Sequence, residues 1–501
     1  MKGWVDLLNS YVWHDSLVGL CLAAGLYFTF ATRFLQVRHI KEMVRLLAES
    51  RPTARGLSSF QALAISISGR VGTGNIAGVA SAIAYGGPGA VFWMWIIAFL
   101  GASSAFIEST LAQIYKVNQD GQFRGGPAYF IEKGLKNKAY GITFAVATIL
   151  ATGLFLPGVQ SNSIAAGLKQ AFELDPSITA SALVVLLAMI IFGGVRRISL
   201  VAEFVVPFMA ATYIIVALII IAMNITELPS IISLIVRSAF ATDATFGGII
   251  GSAISWGVKR GIYSSEAGQG TGPHPAAAAD VSHPAKQGLV QAFSVYIDTL
   301  FVCTATAFMI LITGKYNVMA SGSMLVNNLG DVSVGPIFTQ MAVESVFSGF
   351  GNPFIAVSLL FFAFTTIMAY YYIAETNIAY LTQHMNGKIL INLLRCMLLA
   401  SVAYGAVRTA EVAWGLGDLG VGIMAWLNIV AIFLLRKKAF ITLKDFETQK
   451  AAGADPQFNP KKLGIHGADF WQKSKKSKKE PDYLHGRQPA KKSRRKRRSN
   501  K

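Results

Sequence analysis

Charge is scarce in this chain. Only 14% of its 501 residues are Asp, Glu, Lys or Arg, whereas soluble domains carry about a quarter. Cysteine is scarcer still. Cys21, Cys303 and Cys396 each lie inside an apolar run, far apart, which excludes a disulfide framework and a cysteine metal site. They read as small buried hydrophobes. His274 and His283 share a Pro/Ala-rich loop, and two such histidines without further ligands read as metal-free. No nucleophile–base pair appears, so the chain does not read as an enzyme.

What is abundant is apolar sequence. Hydrophobic residues make up 53%, and mean hydropathy is +0.48. The apolar residues come in runs of roughly 20, the length that crosses a bilayer. Eleven spans are expected, near 15–31, 57–84, 89–117, 140–170, 177–194, 198–223, 243–272, 286–314, 351–382, 388–406 and 410–435. The segment before the first has Asp6, Asp15 and only Lys2. That is a poor basic region for a cleaved signal, so the first run is kept as a span.

The loops predict the orientation. Arg33, Arg38, Lys41, Arg45, Arg51 and Arg55 crowd one loop, and Lys116, Arg124, Lys133, Lys136 and Lys138 the next on that side. The alternate loops are poor in Lys and Arg. Cytoplasmic loops carry that excess, which puts the N-terminus outside and the C-terminus inside. Residues 436–501 hold 21 Lys/Arg against 6 Asp/Glu. This tail is expected to be cytoplasmic and largely disordered, above all residues 473–501. It either adheres to anionic lipid head groups or is simply solvated. No aromatic interleaving or fold supports nucleic-acid binding.

Two glycine-rich interruptions stand out. Gly69–Gly89 packs Gly69, Gly72, Gly74 and Gly78 beside Thr73 and Asn75 inside one span, and Trp256–Gly272 repeats the theme with Lys259, Arg260 and Glu266. Glycine costs a helix about 1 kcal/mol per residue, so both helices are expected to break. Close packing through Gly74-x-x-x-Gly78 is the plainer alternative, but it leaves the polar pair unexplained. Each interruption heads five spans, residues 57–223 and 243–435, with residues 1–56 as an extra helix and basic loop. An odd number of spans per repeat inverts the second repeat. Paired broken helices point to a binding site near the bilayer midplane.

The motifs GRVGTGNIAGVASAIAYGGPGAVFWMW at 69–95, FIESTLAQIY at 106–115, GQFRGGPAYFI at 121–131 and VQSNSIA at 159–165 resemble the alanine or glycine:cation symporter family. So do WGVKRGIYSSEAGQGTGPHPAAAADVSHPAKQGLVQ at 256–291 and IDTLFVCTATA at 297–307. The resemblance spans about residues 10–435. It implies an all-α fold of the leucine-transporter type, with two inverted five-helix repeats, two broken helices and one extra N-terminal helix. It further implies uptake of a small neutral amino acid, alanine or glycine, driven by sodium across a bacterial inner membrane, with no cofactor. The oligomeric state is left open.

By the same resemblance Gly72, Thr73, Gly74 and Asn75 contact the substrate. Free backbone N–H groups at a half-helix N-terminus suit a carboxylate. Gln160 faces the ammonium with a neutral carbonyl. Trp256 and Tyr370 are candidate walls; many family members have tryptophan where Tyr370 stands. Gly69, Val71, Thr365 and Thr366 are carried over as sodium ligands, and Thr366 borders the substrate too. For a mid-helix threonine the plain alternative is a bond back to its own helix. Apart from the resemblance, Arg70, Glu108, Lys259, Arg260, Glu266 and Asp298 are charges within spans: their signs allow Arg70 or Arg260 to pair with Glu266 or Asp298 as a cytoplasmic gate, or some of them only anchor helix ends, and the sequence leaves the pairing open. In a proton-coupled permease or exchanger, Glu108, Glu266 or Asp298 would carry the proton.

Overall fold

A computed structural model of the chain describes residues 2–48, 56–119, 121–193, 195–240, 242–243, 245–320, 323–383 and 385–472. Residues 473–501, expected to be disordered, lie outside them.

The chain is built from helices. Helix α1 (Lys2–Val12) bends by 42° into α2 (Asp15–Ala31). A short amphipathic helix, α3 (Ile40–Ala48), follows. The first repeat then runs through α4 (Ser59–Arg70), a π-helical turn (Gly74–Gly78), α5 (Val79–Gly86) and α6 (Gly89–Ile114). A small hairpin of β1 (Val117–Gln119) and β2 (Gln122–Arg124) leads to α7 (Pro127–Leu135). Helices α8 (Lys138–Phe172), α9 (Pro176–Ile191) and α10 (Val195–Met223) complete the repeat.

An amphipathic connector, α11 (Leu228–Ala239), precedes the second repeat. That repeat opens with α12 (Ile250–Ser265), a break and the short α13 (Pro273–Ala278). It continues with α14 (Pro284–Ile312), a hairpin of β3 (Asn317–Ala320) and β4 (Ser323–Asn327), and α15 (Pro336–Glu344). Helices α16 (Gly351–Leu381), α17 (Lys388–Val407) and α18 (Ala410–Ala451) follow.

Among the described residues seven helices are long and apolar enough to cross a membrane, and α1 with α2 makes an eighth. The expected eleven would need α9 and the two broken helices, α4–α5 and α12–α13, to be counted as well. Their interruptions divide each into pieces too short to qualify alone. The element order is thus two runs of helices, each opening with a broken helix, behind one bent N-terminal helix. The two broken helices lie together: α5 and the π-turn pack on α12. Helix α6 packs on α12 and α14, and α8 on α16, α17 and α18. The outer faces of α9 and α10 are apolar and exposed, with Ile178, Val185, Met189, Phe204, Phe208 and Ile215, as lipid-facing helices require.

Local sequence explains where the first broken helix starts. Ser58 Oγ accepts from Gln61 N–H at 3.1 Å, and Gln61 Oε1 accepts from Ser58 N–H at 3.1 Å. This reciprocal cap satisfies two otherwise orphaned donors.

Three expectations are corrected. Cys21 and Cys303 are buried, but Cys396 is exposed on α17, on the outward face of the bundle. Helix α18 runs on to Ala451, sixteen residues past the expected end, and Phe458, Ile465, Ala468 and Trp471 beyond it are buried. Residues 436–472 thus belong to the folded body, because these apolar side chains cover the helix ends beneath them. Arg260 does not pair with Glu266 or Asp298; it pairs with Asp418.

Candidate functional site

The first break is the non-helical step at Val71 and Gly72. Gly72 is required by close approach: a Cβ there would lie 2.4 Å from Thr366 Oγ1 and 3.1 Å from Gln160 Oε1. The N–H groups freed by the break are taken by side chains. Gly72 N–H donates to Asn75 Oδ1 at 2.8 Å, and Thr73 N–H donates to Gln160 Oε1 at 3.0 Å. Asn75 in turn donates through Nδ2 to Asp298 Oδ1 at 2.6 Å. Gly74 meets Tyr263 and Ser264 of α12, each 3.2 Å from an added Cβ.

Carbonyl oxygens converge on the other side of the break. Thr366 Oγ1 donates to Ser68 O at 2.7 Å and lies 3.4 Å from Val71 O, while also reaching Phe362 O on its own helix at 2.9 Å. These hard oxygen donors fit a sodium ion without a carboxylate in the set. Thr365 Oγ1 is turned back to Phe361 O and Phe362 O, both at 3.0 Å. Gly69 adjoins the second break, where an added Cβ would lie 3.3 Å from Glu266 Oε2.

The second break begins at Glu266 in a left-handed conformation (φ 53°), followed by Gly268 (φ 78°) and Gly270 (φ 94°). Glycine meets such angles at no steric cost. Glu266 Oε2 accepts from Thr271 Oγ1 at 2.8 Å, and its buried Oε1 has no hydrogen-bond partner; Tyr370 is buried as well. Arg70 is buried nearby. Its guanidinium donates to Gln291 Oε1 at 3.3 Å and to Ser294 Oγ rather than to a carboxylate.

The sequence-derived residues therefore separate into groups. Gly72, Thr73, Gly74, Asn75, Gln160, Val71 and Thr366 surround one point. Gly69 and Tyr370 belong to the second break beside it. Thr365 serves its own helix. Trp256 sits about two turns from Tyr263 along α12, stacked on Tyr85 at 4.6 Å. The aromatic ring at the break is Tyr263, whose buried hydroxyl has no hydrogen-bond partner. Ser68, Tyr263 and Ser264 had no signal beyond their nearness to the interruptions. Asp298 was visible as a charge in an apolar span, but its partner was not.

Both ends of the site are closed. On the α1 side, Asp418 takes Arg260 at 2.8 and 3.0 Å and Lys259 at 2.8 Å. The Arg260 guanidinium also lies over Trp414 at 4.6 Å and Trp256 at 5.1 Å. On the opposite, tail side, the inner ends of the broken helices are joined by backbone: Leu57 N–H donates to Ala278 O at 3.0 Å, and Asp280 N–H to Leu57 O at 2.9 Å. Lys116 Nζ donates to Ala279 O at 2.8 Å inside a cage of Phe123, Phe470 and Trp471, 4.6–5.1 Å from their ring centres. Residues 452–472 strap this side. Phe458 N–H donates to Ser282 O at 3.0 Å, Trp471 Nε1 to Gln113 O at 2.9 Å, and Lys133 pairs with Asp469 at 3.0 Å.

Two broken helices meeting at a buried polar point, with a closure on each side, define a secondary transporter of the inverted-repeat class. Residues 1–460 match the sodium:alanine symporter family, and the chain belongs to it. It is 62% identical over 94% of its length, and 98% of the relative, to YrbD of Bacillus subtilis, provisionally named a sodium/proton-dependent alanine carrier. A sodium/proton-dependent alanine carrier of Bacillus sp. strain PS3 is 51% identical, covering 86% of this chain and 97% of that one. A probable sodium/glutamine symporter of Bacillus subtilis is 45% identical over 93% of this chain and 95% of that one. The chain is a multi-pass, cation-coupled amino-acid symporter and not an enzyme.

Proposed function

We propose that the chain takes up alanine, and glycine with it, by alternating access driven by the sodium gradient. The observation that carries this reading is the first break, where freed N–H groups and converging carbonyls stand back to back around Gly72. In the closed arrangement Asn75 and Gln160 occupy the N–H groups of Gly72 and Thr73. A substrate carboxylate would take over those donors, supported by the half-helix N-terminus. Gln160 Oε1, released from Thr73, would then accept from the ammonium. Sodium would bind at Thr366 Oγ1 with the carbonyls of Ser68 and Val71.

The tight fit at Gly72 and Gly74, roofed by Tyr263, favours a small side chain. Tyr370 and Trp256 bound the site less directly, and Gly69 and Thr365 support its backbone frame. The repeats 57–223 and 243–435 are the two bodies whose relative movement exposes the site. The excess of Lys and Arg in the tail-side loops puts that side in the cytoplasm, in an inner membrane, with the N-terminus outside.

Uptake of labelled alanine, glycine and glutamine into vesicles holding the purified protein, with and without an inward sodium gradient, tests the reading. Concentrative alanine uptake that needs the sodium gradient is expected. Uptake that follows a proton gradient in the absence of sodium would replace it with a proton-coupled permease, and preference for glutamine would overturn the substrate.

A further inference from the structure

One ring of contacts lies outside the substrate and sodium arrangement. Glu108 sits on α6, fully buried, six residues before the helix ends. Its Oε1 accepts from Gly268 N–H at 3.2 Å, and its Oε2 accepts from Asn428 Nδ2 of α18 at 2.6 Å. The same amide of Asn428 donates to Gly268 O at 2.9 Å. Helix α6, the second break and α18 are thus fastened together at Gly268. Among the described residues no Lys, Arg or His forms an ion pair with Glu108; the buried pairs are Arg124–Glu375, Lys259–Asp418 and Arg260–Asp418. Asn428 Oδ1 is buried beside it and has no hydrogen-bond partner.

A carboxylate at membrane depth without a cation is expensive. A protonated carboxyl group has an O–H to donate, and here the acceptor is already in place. If the Asn428 amide turns over, its unpartnered Oδ1 comes to face Glu108. The ionised form accepts two N–H groups and leaves Oδ1 empty. The protonated form donates one hydrogen bond, accepts one, and fills Oδ1. Asp298 lacks this choice, because Asn75, Ser264 and Thr299 all donate to it. Glu266 Oε2 accepts from Thr271 Oγ1, while its buried Oε1 has no hydrogen-bond partner.

We propose that Glu108 is a proton-binding site, and that binding a proton re-pairs the contacts through which α6 and α18 hold the second break. The proposal rests on the reading of the chain as a sodium-driven alanine carrier and adds the proton as a second ion that tunes the cycle. A proton from water joins Oε2; turning the Asn428 amide over breaks its N–H bonds to Oε2 and to Gly268 O and forms O–H to Asn428 Oδ1, so α18 lets go of Gly268 O. Arg70 and Glu266 are the charged groups whose fields reach Glu108. Of the others packed against α6, Lys116 is turned to Ala279 O and His274 to Thr271 O and Asn377.

The test is sodium-gradient-driven alanine uptake by the full-length protein in vesicles, at equal inner and outer pH across about pH 5 to 9, where buried carboxylates titrate. Wild-type uptake should step with pH. Glu108→Gln keeps the size and a hydrogen-bonding amide but cannot titrate, so it should transport with the step lost, and Glu108→Asp should restore a step at a shifted pH. A purely structural Glu108 would give Glu108→Gln a uniform loss with the wild-type profile intact, and that result overturns the proposal. Should Glu108→Gln fail to insert, Asn428→Leu removes the waiting acceptor and should move the step; an unmoved step also overturns it. Wild-type uptake that is sodium-driven but flat in pH would sink this inference alone. Absence of sodium-driven alanine uptake at every pH would remove the underlying reading and this one with it.

Discussion

The hydroxyl of Thr366 donates to the main-chain carbonyl of Ser68 at 2.7 Å, joining residues 298 positions apart. It links the third span of the second repeat to the break in the first span of the first repeat. If that hydroxyl is a sodium ligand, Thr366→Val should raise the sodium concentration for half-maximal uptake, and Thr366→Ser should keep it near wild type. Thr365→Val serves as the contrast, because its hydroxyl bonds only to its own helix. Equal sodium dependence in Thr366→Val and wild type would remove Thr366 from the ion site.

The contrast between these two threonines shows what the sequence could and could not express. Both were legible as hydroxyls in an apolar span, but which one faces the break depends on helix rotation, which a pair of adjacent identical residues does not reveal. The glycines at 69–78 were legible because a break needs residues that clear the way for backbone, and Gly72 meets that need against Thr366 and Gln160. Trp256 stands apart from the residues at the first break, because about two helical turns separate it from Tyr263. Asp418 was invisible as a partner, since Arg260 lies 158 residues earlier. The strap at 452–472 was missed because its few apolar residues, Phe458, Ile465 and Trp471, have no periodicity and are buried only by the helix ends they cover.

Gln160 offers the sharpest test of substrate recognition. Gln160→Leu removes the carbonyl that caps Thr73 N–H and that would receive the ammonium. Loss of a hydrogen bond to a buried charged group costs about 1.5–3 kcal/mol, or roughly 10-fold to 150-fold in affinity. Calorimetric titration with alanine reads it directly, and binding within about threefold of wild type would show that Gln160 only braces the break.

The closure on the α1 side should depend on Asp418. Replacing it by Asn leaves Arg260 and Lys259 buried without their counter-charge, and breaking a buried pair in this way costs about 3–5 kcal/mol. A clear drop in the thermal midpoint of the purified protein is expected. A midpoint equal to wild type would mean that the rings of Trp256, Tyr263 and Trp414 around Arg260, and not the carboxylate, hold it there.

On the tail side, Trp471→Ala should open the cage around Lys116 and loosen the strap. Trypsin should then cut at Lys461 and Lys462 faster in inside-out vesicles, without denaturant. Truncation after Gln472 leaves every described strap contact in place and should keep sodium-driven uptake per inserted molecule near wild type. Loss of transport by a truncated protein that inserts normally would make residues 473–501 a regulatory element.

The backbone bridge between Leu57 and Ala278–Asp280 has a mechanical meaning. Main-chain bonds survive most side-chain substitutions, so among single changes only proline at Leu57 or Asp280, which removes the N–H, breaks one of them. The bridge's donors belong to Leu57, half-buried, and Asp280, exposed, so water can take the place of either bond, and the bridge biases the two half-helices toward joint movement rather than forcing it. Distances from spin labels on α4 and α13 to a third on α6 should change in step during transport, and movement of one label without the other would show that the bridge yields.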